Sequence, residues 1–286
     1  MKVILSPHPD NTAGYKFDKN FSITDEHELI SLKSKNKLVC ILEFMLSLPI
    51  IPFFGVFGAL TFIRILCKFS TINQASSVCI SRSLFPVCLL PKKVSVLYHN
   101  IEFLYYLEEA KAERSRLKKV IYYHQYFVLR FLEWRGLGNH TVHCLSLTEA
   151  RLLRRKGINS IFRKDVLFFY KVLVSQFKDE YDTKSICFFG AFSNVRNRRM
   201  AEKLFQKHPN ISLFGRYGNL LSKEIKANYY GEIDDFSSFV NKYTFVMIET
   251  PKAGVQTKVV DWLEAGGEVC VPVKLRRKMW GKLASE

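Results

Sequence analysis

Acidic residues are scarce. The 286-residue chain holds 26 Asp and Glu against 43 Lys and Arg, a formal net charge of +17. A surplus of that size calls for an anionic partner: nucleic acid, anionic lipid or a phosphorylated substrate. Paired cysteines are lacking as well. Cys40, Cys67, Cys79, Cys88, Cys144, Cys187 and Cys270 form no CxxC pair, their number is odd, and most stand in apolar runs. This argues against a disulfide framework or a zinc site and for reduced, buried thiols in a cytosolic protein. The opening MKVILSPHPD has no long apolar core of the signal-peptide kind and reads as a first strand.

What is present is enough apolar residue, 48%, to build real cores, in a length that suits two domains. Lys2–Ser6, Ser76–Ser81, Val94–Tyr98 and Thr141–Ser146 are expected strands, and Asp25–Ser34 a short polar helix. Leu38–Ile63 is the most apolar segment, with Glu43 its only charge. By length it could span a bilayer. Pro49, Pro52, Gly55 and Gly58 instead suit two helices meeting at a turn, buried or lying on a membrane surface. Ile101–Gly136 reads as helix with a break near Glu113–Ser115. Its cations (Lys111, Arg114, Arg116, Lys118, Lys119, Arg130, Arg135) alternate with aromatics such as Tyr122, Phe127 and Phe131. That pattern fits either a solvated amphipathic helix or a basic, aromatic surface on an anionic membrane. No recognisable nucleic-acid module accompanies it, so nucleic acid is not the expected partner. A second basic cluster runs from Arg151 to Lys164. Val166–Asp182 is the expected linker, which divides the chain into domains of 1–170 and 171–286.

After the linker, strands and short helices alternate: Ser185–Phe189, Arg196–His208, Ile211–Phe214, Phe236–Lys242 and Phe245–Ile248. Alternation of this kind implies right-handed parallel βαβ units, with ligands outside the strand carboxyl ends. The stretch IETPKAGVQTKVVDWLEAGGEVCV, Ile248–Val271, organises the rest. A strand ends, Pro251 and Gly254 turn the chain, and Thr257 caps a helix over Lys258–Ala265. Gly266-Gly267 stops that helix before a strand at Val269–Val273. The free N–H groups at such a helix start, with Lys258 beside them, make an anion site matched to phosphate.

Taken in series, ICFFGAFSNVRN, ISLFGRYGN, YYGEIDDFSSFV and ETPKAGVQTKVVDWLEAGGEVCV resemble the C-terminal domain of GT-B glycosyltransferases, in particular the retaining group 1 (family 4) type. VSVLYHNIEFLYY and FLEWRGLGNHTVHCLSLTEARLLRRKGI are similar to segments of that family's N-terminal domain. The resemblance implies two doubly wound Rossmann-like domains facing across a cleft. It implies transfer of a sugar, with retention, from a nucleotide-diphosphate donor to a glycan or lipid-linked acceptor in surface polysaccharide synthesis. It implies neither cofactor nor metal, and no convincing DxD follows a strand. Asp234-Asp235 stands in a turn, where N-capping is the ordinary role.

The same resemblance assigns roles. Lys258 corresponds to the family's diphosphate-binding cation. Gly254, Val255, Gln256 and Thr257 offer backbone N–H groups, and Asp261 takes the place of a glutamate that holds the donor ribose. Ala253 stands where many relatives carry a glutamate, and Glu249 is out of register with it. His99 matches a histidine facing the donor sugar. Arg216 is placed to approach a phosphate or the base, Gly14 to allow close backbone approach in the first loop, and Gly231–Ile233 to bracket the base. Ala191 and Asn197 stand near the family's usual Arg and Lys, with Arg196 or Arg198 as substitutes. Only LRRKMWGKLASE follows the last strand, where relatives usually continue, which reads as a short variant or a truncated chain. The expected location is cytoplasmic, peripheral on the inner face of the plasma membrane. The alternatives are a degenerate GT-B relative acting as a scaffold and a basic membrane-surface protein.

Overall fold

The computed structural model describes residues 1–8, 13–34, 36–81, 94–113, 115–135, 137–167, 174–179, 185–233, 235–249 and 256–280. The chain divides into two compact units, the first running from Met1 to Phe169 and the second beginning at Tyr170. Each is a parallel α/β sheet with helices on its faces.

In the first unit the strands are β1 (Lys2–Ser6), β2 (Glu28–Ser31), β3 (Ser77–Ser81), β4 (Val94–Tyr98), β5 (Val142–Cys144) and β6 (Ser160–Phe162). They are parallel in the order β2-β1-β3-β4-β5-β6. The inner strands are covered on both faces, hence their continuous apolar runs. Alternation along each strand sorts the side chains into two layers. Val3, Leu5, Val78 and Ile80 meet Ile65 and Ile72 on one face. On the other face Ile4, Cys79 and Leu97 meet Phe17 and Phe21 of α1 (Ala13–Thr24). After β2 the chain crosses back past β1 to lay down β3, so the order reverses at the β1/β3 boundary. In open sheets ligands gather at such a switch point.

Five expectations need correction. Gly14 sits in the first turn of α1, not in a loop. Asp25–Ser34 is not a helix. Glu26 takes a left-handed backbone (φ 55°) and β2 follows, paired with β1 as an edge strand whose half-exposed residues hid its strand character. Arg163 is not part of an open basic cluster. It is buried and clamps Asp25 through both guanidinium ends, at 2.8 and 2.7 Å. The strand expected at Val269–Val273 closes at Cys270, because Val273 already begins a helix. The helix expected over Phe236–Lys242 is a single 3-10 turn, Phe236–Ser238, capped by Asp235.

The apolar segment forms a helical hairpin. α2 (Lys37–Ser47) leads through a 3-10 turn, Leu48–Ile50, into α3 (Ile51–Leu66). Glu43 of α2 meets Arg64 of α3 at 2.9 Å, so the two limbs run antiparallel. At Gly55 (φ 72°, ψ 168°) α3 is broken in a backbone region that only glycine enters freely. After α4 (Phe69–Gln74) and α5 (Glu102–Ala112) comes α6 (Arg116–Leu132), whose Gln125 spans the break. Its amide donates to Phe54 O at 3.2 Å, and its oxygen accepts from Phe57 N at 3.3 Å. A Cβ at Gly55 would stand 2.2 Å from Gln125 Oε1. Gly55→Ala is therefore expected to destabilise the first unit by about 1–3 kcal/mol, read by chemical denaturation.

The second unit carries β7 (Ile186–Phe189), β8 (Ser212–Phe214), β9 (Thr244–Val246) and β10 (Val269–Cys270), parallel in the order β10-β9-β7-β8. Its switch point lies between β7 and β9. The first unit ends with α7 (Leu147–Arg154) and α8 (Lys164–Leu167), and α9 (Val195–Lys207), α10 (Lys223–Lys226), α11 (Thr257–Glu264) and α12 (Val273–Trp280) belong to the second. Trp262 of α11, fully buried, packs on Phe189, Phe236 and Phe245 and donates to Glu268 O at 3.0 Å. Trp262→Ala is expected to cost about 3–5 kcal/mol in a denaturation experiment, as large-to-small core changes do.

Candidate functional site

Strand alternation builds a polar cluster in the first unit. Ser6 ends β1, Ser81 ends β3, and His99 follows β4. By parity with Ile4, Cys79 and Leu97, all three face α1. There Asp18, fully buried next to Phe17, receives them. Ser6 Oγ donates to one carboxylate oxygen at 2.5 Å. Ser81 Oγ donates to the other at 2.6 Å, and His99 Nε2 meets that same oxygen at 2.8 Å. Burial works against the Asp18 charge, but the His99 and His8 imidazoles and these hydrogen bonds outweigh it and hold its pKa below the usual value. The carboxylate requires a donor from His99, which places a proton on Nε2. His8 lies beside His99, ring centroids 4.9 Å apart and the rings tilted, and its backbone N–H donates to Ser6 Oγ.

His8, Asp18 and His99 each bring one ligand atom within 4.8 Å of the others, a donor set suited to a Zn²⁺-class ion. Here, however, both carboxylate oxygens and His99 Nε2 are already joined by hydrogen bonds. The arrangement is that of an oriented imidazole–carboxylate dyad, suited to proton transfer or to holding a hydroxyl.

In the second unit the cluster forms where α9 and α11 begin, beside the carboxyl end of β7. Lys258, in the first turn of α11, donates to Asn197 Oδ1 at 2.7 Å and places its ammonium 4.2 Å from the centre of the Phe188 ring. Asn197 in turn donates to Ala191 O at 2.9 Å, so a neutral amide ties Lys258 to the turn after β7. The Lys258 residue keeps some surface, yet its ammonium is enclosed. Burial, and then the Arg196 cation, push its pKa down to about 7. An enclosed cation whose contacts among the described residues are a neutral amide and a ring is suited to gain an anion. Backbones crowd at the same edge. Gly215 adopts φ 127°, and a Cβ there would stand 2.1 Å from Gly190 O.

The chain, compared with family models and with curated proteins, finds no match in either.

The expected site residues fall into two groups. Gln256, Thr257, Lys258 and Asp261 share the start of α11, with Gln256 rather than Thr257 at the capping position. Asp261 lies one turn further on and is half-buried. Arg216 stands on the turn after β8, paired with Glu232 at 3.0 Å across the turn that Gly231 opens, and its exposed side chain is already engaged. Arg198 is bound to the carbonyls of Phe192 and Ser193, so among the candidate substitutes Arg196 is the one near Lys258. Glu249 is ion-paired with Lys203. Ala253, Gly254 and Val255 lie outside the described residues. His99 and Gly14 belong to the first unit, where Gly14 precedes Asp18 by one turn of α1.

Sequence reasoning missed Asp18, Ser6, Ser81 and His8, and it read Asn197 only as a departure. The available signal was positional: two serines closing apolar strands and one aspartate between Phe17 and Phe21 on an apolar helix face.

Proposed function

We propose that the chain is a GT-B-type glycosyltransferase. It moves a sugar, with retention and without metal, from a nucleoside-diphosphate donor to a glycan or lipid-linked acceptor at the cytoplasmic face of a membrane. The observation that carries this reading is Lys258, an enclosed ammonium in the first turn of α11 beside a parallel-sheet switch point. Cleavage of a sugar–phosphate bond builds negative charge on the leaving diphosphate. A cation and free helix N–H groups already in place there stabilise it without reorganising. Asp18 holds His99 through Nε2, and in this reading the imidazole serves a hydroxyl of sugar or acceptor. The two units supply the two halves of the GT-B enzyme.

A thermal-shift screen with UDP-, GDP- and CMP-sugars tests the proposal, since a ligand bound only by the native state raises its melting temperature. A rise of several degrees with a nucleoside-diphosphate sugar is expected. No rise with any of them would refute it. A scaffold reading is favoured by one fact: Glu249 is held by Lys203 and so does not replace the carboxylate missing at Ala253. Binding without turnover would decide for it.

A further inference from the structure

We infer that the α2–α3 hairpin is a wedge that enters one leaflet of an anionic bilayer, with α6 as its basic platform. This rests on the membrane-side part of the reading above and not on sugar transfer. It concerns a surface well apart from Lys258 in the chain.

The hairpin is apolar on its outside. Leu38, Ile41, Leu42, Met45, Leu46 and Phe53 are all more than half exposed, with Leu38 at 75% and Phe53 at 69%. A water-facing surface seldom gathers so many large apolar side chains in one place. The charges are turned inward instead. Glu43 is the only ionisable acid or base between Leu38 and Ile63, and it is buried against Arg64 between the two limbs. A protein partner would usually find a polar rim on such a face; hydrocarbon needs none.

Length sets the mode of entry. A straight helix over the apolar stretch Lys37–Leu66 would span a bilayer. The chain instead passes through the 3-10 segment Leu48–Ile50, is broken at Gly55, and comes back antiparallel. The limb before the break, Lys37 to Phe54, is then about 27 Å long and the limb after it, Val56 to Leu66, about 16 Å, each short of the ~30 Å hydrocarbon core. Gln125 holds the turn shut by bonding both sides of the Gly55 break, and Tyr106 stacks on Phe57 beside it, 5.5 Å between centroids.

The platform supplies the sign. α6 holds the hairpin through Gln125 and carries its own exposed apolar stripe, Leu117, Val120, Phe127 and Phe131. Arg116, Lys118 and Arg130 are exposed along the same helix. Arg135, just past its end, lies over the Phe131 ring at 3.8 Å. α6 itself holds no acid, and Glu133 just past its end is buried, while the half-buried Glu113 before its start is engaged by Ser115 N–H. Apolar side chains interleaved with cations, on a helix that carries no acid, match an anionic leaflet, which attracts each such cation.

The test is flotation of the full chain with phosphatidylcholine vesicles, with and without phosphatidylglycerol. Binding to both is expected, stronger with the anionic lipid. The double variant Leu42→Glu, Phe53→Glu changes only exposed side chains. It is expected to lose binding to both by at least about tenfold. The pair Arg116→Glu, Lys118→Glu should lose only the anionic gain. Lys37→Cys and Cys67 bracket the hairpin. A membrane-impermeant maleimide added outside should label both in the wedge, but only one if the segment crosses. Failure of the wild type to float overturns the inference, as does labelling of one site alone. A dimer in sedimentation that the Leu42/Phe53 variant dissolves, without vesicle binding, would assign the face to a second copy and overturn it too. None of these outcomes bears on nucleotide-sugar binding, which the thermal shift reads separately.

Discussion

Lys258→Ala is expected to weaken nucleoside-diphosphate-sugar binding and turnover together by about two orders of magnitude or more, the scale on which removal of one preorganised charge-stabilising donor acts. Titration calorimetry and a transfer assay read the two quantities. The stability of Lys258→Met should move the other way. The folded pKa of Lys258 is about 7, well below its ordinary value of 10.5. Below pH about 7 both folded and unfolded chains hold the proton, and the full cost of enclosing the charge is present. Between the two values the unfolded chain binds more protons, so the wild type gains stability as pH rises. Lys258→Met is therefore expected to be at least as stable as the wild type in mildly acidic buffer, with its advantage shrinking above neutrality. A residue that served only the fold would lose stability when removed.

Asp18→Ala is the second large effect, this time on the fold. Removing the carboxylate strands two serine hydroxyls and an imidazole in a buried site. Loss of one member of such a group costs about 3–5 kcal/mol. Chemical denaturation of the wild type and the variant gives this directly. Its pH dependence has a definite sign. The Asp18 carboxyl is held below its ordinary 3.8, so its contribution is complete above pH about 4 and is lost as acid protonates the folded state. The margin of the wild type over Asp18→Ala should accordingly narrow on acidification.

The two clusters differ in how far the sequence exposed them. Lys258 was legible because all its local signals lie within one stretch: an apolar strand, a glycine turn and a helix start are contiguous. The parallel α/β architecture was legible for the same reason, as each βαβ unit announces itself locally. Asp18 was not. Its partners Ser6, Ser81 and His99 are up to 81 residues away in the chain and come together only through strand order and parity. β2 escaped because an edge strand exposed at both ends and half-buried between them carries no buried run. The hairpin was half legible. Proline and glycine marked its bends, but only the packing of Gln125 on the Gly55 break and the inward Glu43–Arg64 pair decide which side faces out. Asn197, read from sequence as a missing lysine, proves to be the group that holds Lys258.

Proton linkage decides whether Lys258 seats a diphosphate. At about pH 8 the free ammonium is mostly deprotonated, whereas a bound diphosphate would restore its charge. Calorimetric titration of UDP and GDP into the protein, in two buffers of different ionisation enthalpy, measures that uptake. We predict binding of at least one nucleotide with close to one proton taken up per site in the wild type and none in Lys258→Met. Binding with no proton uptake, or no binding of either nucleotide, would contradict the assignment.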